Sequence, residues 1–192
     1  MHPISASWRD IMGNIFQDKG SETRKHSIFT WEGLGNIKEG RGNLGEDMPV
    51  LVYRLLEFTM LHVLAEEYGE ERANELFQKA GFLAGEELAK NCLDLNVGFN
   101  EFIEQLQKTM RELKIAVLRI ESFNDETGEV FLTAAEDLDC SGLPATGEMV
   151  CMYDEGFISG LLYAYTGKKY TVREIDCWAN GDRVCRFHGQ IK

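Results

Sequence analysis

The sequence predicts an α+β domain in which an antiparallel β-sheet packs against helices, with a helical extension at the N-terminus. Two observations predict it. Apolar residues first recur at helical spacing, in three segments at about 49–68, 70–93 and 99–113. The period then changes to the order strand, strand, helix, strand, strand, at about 115–123, 129–135, 148–165, 169–178 and 184–189. Helices followed by this order are typical of an antiparallel sheet backed by helices.

The helical segments carry their own start and stop signals. Pro49 suits the first turn of the first long helix, and Gly69 suits its end. Gly81 and Gly85, four residues apart in the second helix, permit the close approach of another helix.

The N-terminal region differs in composition from the rest. Apolar residues at about 4–16 predict a short amphipathic helix, whereas the glycines between 33 and 45 exclude a regular helix there. We therefore divide the chain into an N-terminal extension, 1–45, which is a possible dimerisation segment, and a domain, 46–192.

The charge and hydropathy of the chain exclude several classes of function. A formal net charge of -12 argues against binding to a nucleic-acid backbone, which requires a basic face. No apolar run approaches the roughly 20 residues of a membrane span, and no export signal begins the chain. We therefore expect a cytoplasmic protein with no membrane span.

Cysteine placement is the main chemical signal. Cys177 and Cys185 flank an Asn-Gly turn and would face the same side of a hairpin, and Cys151 lies near a helix start. Glu174 could supply a fourth ligand if a bulge near residues 175–176 turns it to the same face. Such a set suits zinc, but spacing alone leaves buried free thiols or a cross-strand disulfide equally open. Cys140 is expected nearby as a spare or redox-sensitive thiol, and Cys92 in the core.

Several motifs together resemble the 4-vinyl reductase domain, and the resemblance covers most of residues 40–190. The motifs are Asp139-Cys140-Ser141-Gly142-Leu143-Pro144, Val150-Cys151-Met152-Tyr153-Asp154-Glu155-Gly156-Phe157, residues 170–182, and Cys185-Arg186-Phe187. The chain looks like a stand-alone prokaryotic member similar to the sensor domain of aromatic-responsive transcriptional activators. The resemblance implies the ligand-binding fold shared by nitric-oxide-signalling and Golgi-transport proteins.

The resemblance also implies a structural zinc ion in a C-terminal portion, 148–190. In the aromatic sensors three cysteines and one glutamate hold zinc, at separations that correspond here to Cys151, Glu174, Cys177 and Cys185.

A ligand pocket is implied as well. Its candidate residues are apolar or aromatic: Phe99, Phe102, Ile103, Leu106, Phe131, Tyr153, Phe157 and Trp178. The places of the histidine and tryptophan that grip phenol in the aromatic sensors correspond to Phe102 and Val130, which cannot make those hydrogen bonds. A more apolar ligand, a lipid-like chain or no ligand is therefore expected.

Three functions follow from these observations. The first is a zinc-stabilised binding or sensor domain for small hydrophobic or aromatic molecules, without catalysis of its own, and a homodimer. The second is an enzyme or accessory protein in tetrapyrrole vinyl reduction, although no dinucleotide-binding glycine motif follows a strand. The third is a lipid-binding scaffold subunit.

Overall fold

The computed structural model describes residues 29–192 of the chain. The helix expected at residues 4–16 lies outside them. Residues 36–192 form one compact unit, and the described residues before them, 29–35, belong to a separate one. In the first unit the described residues contain a 3-10 turn, Trp31–Leu34. In the second, a single helical turn, Ile37–Gly40, precedes the long helices.

The predicted order of elements is confirmed. Within residues 29–192 the main elements are four long helices and four strands. The helices are α1, Val50–Tyr68; α2, Glu70–Cys92; α3, Phe99–Glu112; and α4, Met152–Thr166. Four strands form one antiparallel sheet in the order β1-β2-β4-β3: β1, Val117–Phe123; β2, Val130–Ala135; β3, Tyr170–Asp176; and β4, Cys185–Ile191. The fold class is therefore α+β, with helices α1 to α3 before the first hairpin and α4 between the two hairpins.

Helix α4 begins at Met152, a few residues later than the sequence predicts. The backbone N–H groups of Thr146 and Gly147 both donate to the carbonyl of Ala179, at 2.8 and 3.0 Å. Residues 146–147 are therefore bound to the β3–β4 connection, and the chain enters the helix only after Cys151.

Helices α2 and α4 pack with their backbones in direct contact, as the spacing of Gly81 and Gly85 predicts. A Cβ atom on Gly85 would lie 2.0 Å from the carbonyl oxygen of Phe157, and one on Gly81 would lie 2.0 Å from that of Tyr153. The same holds for Gly156 of α4, where a Cβ atom would lie 2.0 Å from the carbonyl oxygen of Gln78 in α2. Only glycine permits this separation, which positions α4 over the sheet.

The core lies between the sheet and the helices. In β2 and β4 the buried positions alternate, which gives the sheet one face toward α4 and one partly exposed face. Helix α4 is anchored to the sheet by the Ser159 hydroxyl, which donates to the carbonyl of Tyr170 at 2.9 Å. The largest fully buried side chains are Phe102 of α3 and Phe187 of β4.

Helix α1 is apolar on more than one side. One side packs against α2, while the opposite side exposes six large apolar residues, which we call the α1 outer face: Leu51, Val52, Leu55, Leu56, Met60 and Val63. Leu51 is 69% exposed and Leu56 is 64% exposed. A helix that is apolar all round is ordinarily covered on every side. None of the helices within residues 29–192 combines the length and apolarity that a bilayer crossing requires.

Candidate metal centre and ligand groove

Four cysteine side chains meet at the C-terminal end of the domain. The sulfur atoms of Cys140, Cys151, Cys177 and Cys185 all lie within 4.8 Å of one another, and all four residues are buried. All four are free thiols rather than disulfides. Cys92 is also free but is exposed at the end of α2, so its expected place in the core is wrong.

A bulge in the last hairpin turns Cys177 toward the other sulfurs. Glu174 pairs with Phe187 and Asp176 pairs with Arg186, so β3 has one residue more than β4 at this point. The bulge occurs where the sequence requires it. The connection is longer than a tight Asn-Gly turn, because a 3-10 turn, Trp178–Asn180, follows Cys177. The Cys177 carbonyl accepts from the N–H groups of Asn180 and Asp182.

Cys151 and Cys140 approach the hairpin from two other elements. Cys151 directly precedes α4. Cys140 lies in a turn that Asp137 organises: the carboxylate of Asp137 accepts from the N–H groups of Asp139, at 2.9 Å, and Cys140, at 3.2 Å. One site thus joins the α4 start, the last hairpin and a connection that follows β2.

The distances from the Cys151 sulfur to two other sulfurs suit a tetrahedral metal ion. The Cys151 sulfur lies 3.9 Å from that of Cys177 and 3.8 Å from that of Cys185. Metal–sulfur bonds of about 2.3 Å in a tetrahedron place the sulfurs about 3.8 Å apart. The Cys140 sulfur lies 2.9 Å from that of Cys185, beyond the roughly 2.05 Å of a disulfide but closer than the tetrahedral spacing, so these two sulfurs would have to move apart to bind one ion together. Hydrogen bonds from the Cys140 and Cys151 thiols lower the pKa of Cys177.

Glu174 is buried beside the cluster. One carboxylate oxygen accepts from the backbone N–H of Cys151 at 3.2 Å, and the other has no hydrogen-bond partner in the described part of the chain. Burial raises the pKa of Glu174 to about 8. Glu155 of α4 holds the strand here, because its carboxylate accepts from the Glu174 N–H at 2.9 Å and pairs with Arg173 at 2.9 Å.

A group of buried acids lies next to the cysteines. Asp137 and Asp154 each have a carboxylate oxygen within 4.8 Å of the Cys151 sulfur and of each other. Burial raises the pKa of Asp139 to about 7 and of Glu57 to about 8. The sequence does not predict this burial of acidic groups, because an acid at a helix start such as Asp154 is ordinarily solvated or caps the helix.

The eight predicted ligand residues do not share one cavity. Phe102 is fully buried and stacks on Tyr165, with ring centroids 4.1 Å apart. Phe131 faces the other side of the sheet, where it stacks on His188 at 4.3 Å. Trp178 lies near the cysteines and donates its indole N–H to the carbonyl of Leu143. Tyr153 and Phe157 lie on α4 against α2, and Leu106 lies on the buried side of α3.

Two of the predicted residues, Phe99 and Ile103, line a groove between α3 and β1. Its volume is about 870 Å³, and β1 contributes Ile120 and Phe123. Phe99 stacks on Phe123 with ring centroids 4.0 Å apart. The rim is acidic, with Glu101, Glu104, Glu121 and Asp125. The acidic rim disfavours an anionic ligand.

A second groove lies between α2, α4 and the edge strand β3. Its volume is about 380 Å³, and its lining mixes apolar Phe82 and Val172 with charged Glu75, Lys79 and Arg173. None of the eight predicted ligand residues lines it.

Comparison with known proteins agrees with the sequence motifs. A family model for the 4-vinyl reductase domain matches residues 130–191. Uncharacterized protein MJ1642 of Methanocaldococcus jannaschii is 28% identical over 148 residues, which are 77% of this chain and 81% of that protein. Uncharacterized protein MJ0150 of the same organism is 23% identical over 108 residues, 56% of this chain and 61% of that protein.

Three solved structures share the fold. The phenol-responsive sensory domain of the transcription activator PoxR, with phenol, has a TM-score of 0.57 at 19% identity and covers 75% of each chain. A vinyl-4-reductase family protein from M. jannaschii has a TM-score of 0.57 at 15% identity, over 86% of this chain and 98% of that one. A trafficking protein particle complex subunit 3 from Naegleria fowleri, covalently bound to palmitic acid, has a TM-score of 0.54 at 15% identity. The match covers 75% of this chain and 97% of that one.

Proposed function

We propose that this chain, whose residues 130–191 match the 4-vinyl reductase domain, is a zinc-stabilised binding or sensor domain for small hydrophobic or aromatic molecules. We further propose that it has no catalysis of its own and works as a cytoplasmic homodimer. The observation that carries the proposal is the buried four-cysteine cluster, which joins three separate elements at one point.

The metal part of the proposal follows from the donor set. Buried thiols at tetrahedral separations suit zinc, which favours thiolate ligands and four-coordination. Cys151, Cys177 and Cys185 would hold the ion, and the sequence assigns the fourth place to Glu174. Zinc bound there would supply cross-links between α4 and the β3–β4 hairpin, so we expect its role to be structural.

The ligand part rests on the groove between α3 and β1. Phe99, Ile103, Ile120 and Phe123 offer it stacked rings and branched aliphatic side chains, which bind flat or chain-like apolar molecules. Structures of the same fold include one with phenol and one covalently bound to palmitic acid, which supports an apolar ligand for this chain.

The homodimer is supported by the α1 outer face. Six large apolar side chains on one exposed stripe of 13 residues form a patch larger than scattered surface residues make. A second copy would present the same stripe, so two chains can cover it by a self-complementary contact between their α1 helices.

Thermal unfolding with a ligand panel tests the ligand part. The panel contains simple phenols, aromatic hydrocarbons, fatty acids and a vinyl tetrapyrrole, each added to zinc-loaded protein. A ligand present at about 100 times its Kd stabilises the fold by about 2.7 kcal/mol, which the unfolding midpoint reports.

Two aromatic variants provide the matched comparison. Phe99→Ala removes a ring from the groove, whereas Phe131→Ala removes a ring from the opposite face of the sheet. We expect Phe99→Ala to abolish the ligand-induced shift and Phe131→Ala to retain it. A panel without any shift, or equal behaviour of the two variants, would refute binding in this groove.

A lipid-binding scaffold subunit is the second candidate. The exposed α1 outer face favours it, since a scaffold uses such a surface for a different protein. A stabilising response restricted to long acyl chains, together with a monomeric chain in solution, would favour this candidate over the sensor.

A further inference from the structure

We infer that Cys140, rather than Glu174, is the fourth ligand, so that the metal is held by four sulfurs and also fastens the loop 137–143 to the last hairpin. This inference rests on the proposed zinc site and changes its donor set. It assigns a metal-binding role to a residue that lies 11 positions before the first predicted ligand.

The position of the Cys140 side chain is the first argument. It is fully buried, and its sulfur belongs to the group of four whose members all lie within 4.8 Å of one another. The turn that presents it is built by three hydrogen bonds to Asp137: two to its carboxylate and one, from Ser141, to its carbonyl at 3.1 Å. Cys140 therefore reaches the cluster from a constrained loop.

Glu174 already has a different role. One of its carboxylate oxygens accepts the backbone N–H of Cys151, and its own N–H donates to Glu155, while its other carboxylate oxygen has no hydrogen-bond partner among residues 29–192. A carboxylate that binds the backbone of a ligand orients that ligand from outside the coordination sphere. The four thiols supply a full tetrahedral set without it, and soft sulfur is the better ligand for a borderline ion.

The loop 137–143 is also what holds the first two turns of α1. The Tyr53 hydroxyl donates to Asp139 at 2.9 Å. The Arg54 guanidinium donates to the carbonyls of Leu138, at 2.9 Å, and Ser141, at 2.8 Å. A metal that binds Cys140 therefore connects the hairpin to α1 through this loop, and with it to the α1 outer face. A metal bound through Glu174 would leave the loop outside the cross-link.

X-ray absorption of the zinc-loaded wild-type chain tests the donor set without any variant. Four sulfur neighbours at about 2.3 Å are expected, whereas three sulfurs and one oxygen at about 2.0–2.2 Å would overturn the inference. Wild-type protein that takes up no metal would instead overturn the proposed zinc site and this inference together.

Cobalt substitution of two variants provides the second test. We expect Cys140→Ser to reduce the thiolate-to-cobalt charge-transfer absorption to about three-quarters of the wild-type value, because one of four thiolates is lost. Glu174→Gln, whose amide oxygen can still accept the Cys151 N–H, should keep the full absorption. Full charge-transfer absorption in Cys140→Ser would overturn the assignment, because it would show that Cys140 supplies none of the thiolates.

Hydrogen exchange tests the connection to α1. Removal of zinc from the wild-type chain should speed amide exchange in residues 137–143 and in the first two turns of α1. In zinc-loaded Cys140→Ser these two segments should exchange faster than in zinc-loaded wild type, while β3 and β4 stay protected. Unchanged exchange in α1 for both samples would contradict the proposed connection.

Discussion

The contact between α2 and α4 makes a sharp prediction, because it leaves no room for even one methyl group. In Gly85→Ala the new Cβ would lie 2.0 Å from the carbonyl oxygen of Phe157. Contacts under 3.0 Å are essentially never seen for a Cβ atom, so the two helices must separate by about 1 Å. The opposing atoms are backbone, and no side-chain rotation can relieve the overlap.

The magnitude follows from two opposing effects. Overpacking of a well-packed interface costs about 1–3 kcal/mol. Alanine in place of glycine inside a helix raises the free energy of unfolding by about 0.5–1 kcal/mol, because alanine loses less conformational entropy than glycine when the chain folds. We expect Gly85→Ala to lower the free energy of unfolding by about 1–2 kcal/mol, which corresponds to about 2–8 °C in Tm for a chain of this size.

The assay is chemical and thermal unfolding of zinc-loaded protein, followed by circular dichroism. Gly40→Ala is the matched control, since Gly40 lies in a helical turn and no atom approaches its Cβ position within 4 Å. The control should unfold at the wild-type midpoint or above it. If Gly85→Ala were as stable as Gly40→Ala, the backbone contact between α2 and α4 could not have the described geometry.

Three further outcomes are expected. Cys185→Ser should lose zinc, as measured by elemental analysis. It should also lose the stabilisation of roughly 2.7 kcal/mol that free zinc at a hundred times its Kd provides. The control Cys92→Ser, which changes the exposed thiol, should keep the zinc and the stabilisation. Burial raises the pKa of Glu57 from 4.5 to about 8, so ionising it opposes folding and wild-type stability should fall as pH rises between these values. The Tm of Glu57→Gln relative to wild type should therefore increase from pH 5 to pH 8.5, whereas that of the exposed control Glu67→Gln should not. A Glu57→Gln variant that is less stable than wild type at pH 8.5 would show that nearby groups stabilise the ionised Glu57 carboxylate. Leu56→Asp on the α1 outer face should convert a dimer into a monomer in analytical ultracentrifugation, and a wild-type monomer would contradict the proposed homodimer.

Much of the fold is determined by local pattern. The helical period through residues 50–68 and 70–92 and the later change to alternation predict the elements and their order, because one face of each must be buried. Gly81 and Gly85 even predict the close helix packing, since a glycine pair four residues apart has few other uses. The bulge after Glu174 also follows from the sequence, because Cys177 could not otherwise share a face with it.

The four-cysteine cluster could be predicted only in part from the sequence. Cys151, Cys177 and Cys185 are predicted from one hairpin and one helix start, where separation along the chain still reports separation in space. Cys140 lies in an irregular turn whose direction depends on Asp137, so no period indicates that its sulfur meets that of Cys185, 45 residues away.

Other features were decided by the tertiary structure alone. Phe99 and Phe131 are equivalent as aromatic residues in amphipathic segments, yet one lines the α3–β1 groove and the other lies on the far face of the sheet. The acids around Asp154 are buried together because α1, α4 and the loop 137–143 converge on them. Local sequence determines which face of each element is apolar, because that depends on near neighbours in the chain. Which faces meet depends on long-range packing, and that is visible only in three dimensions.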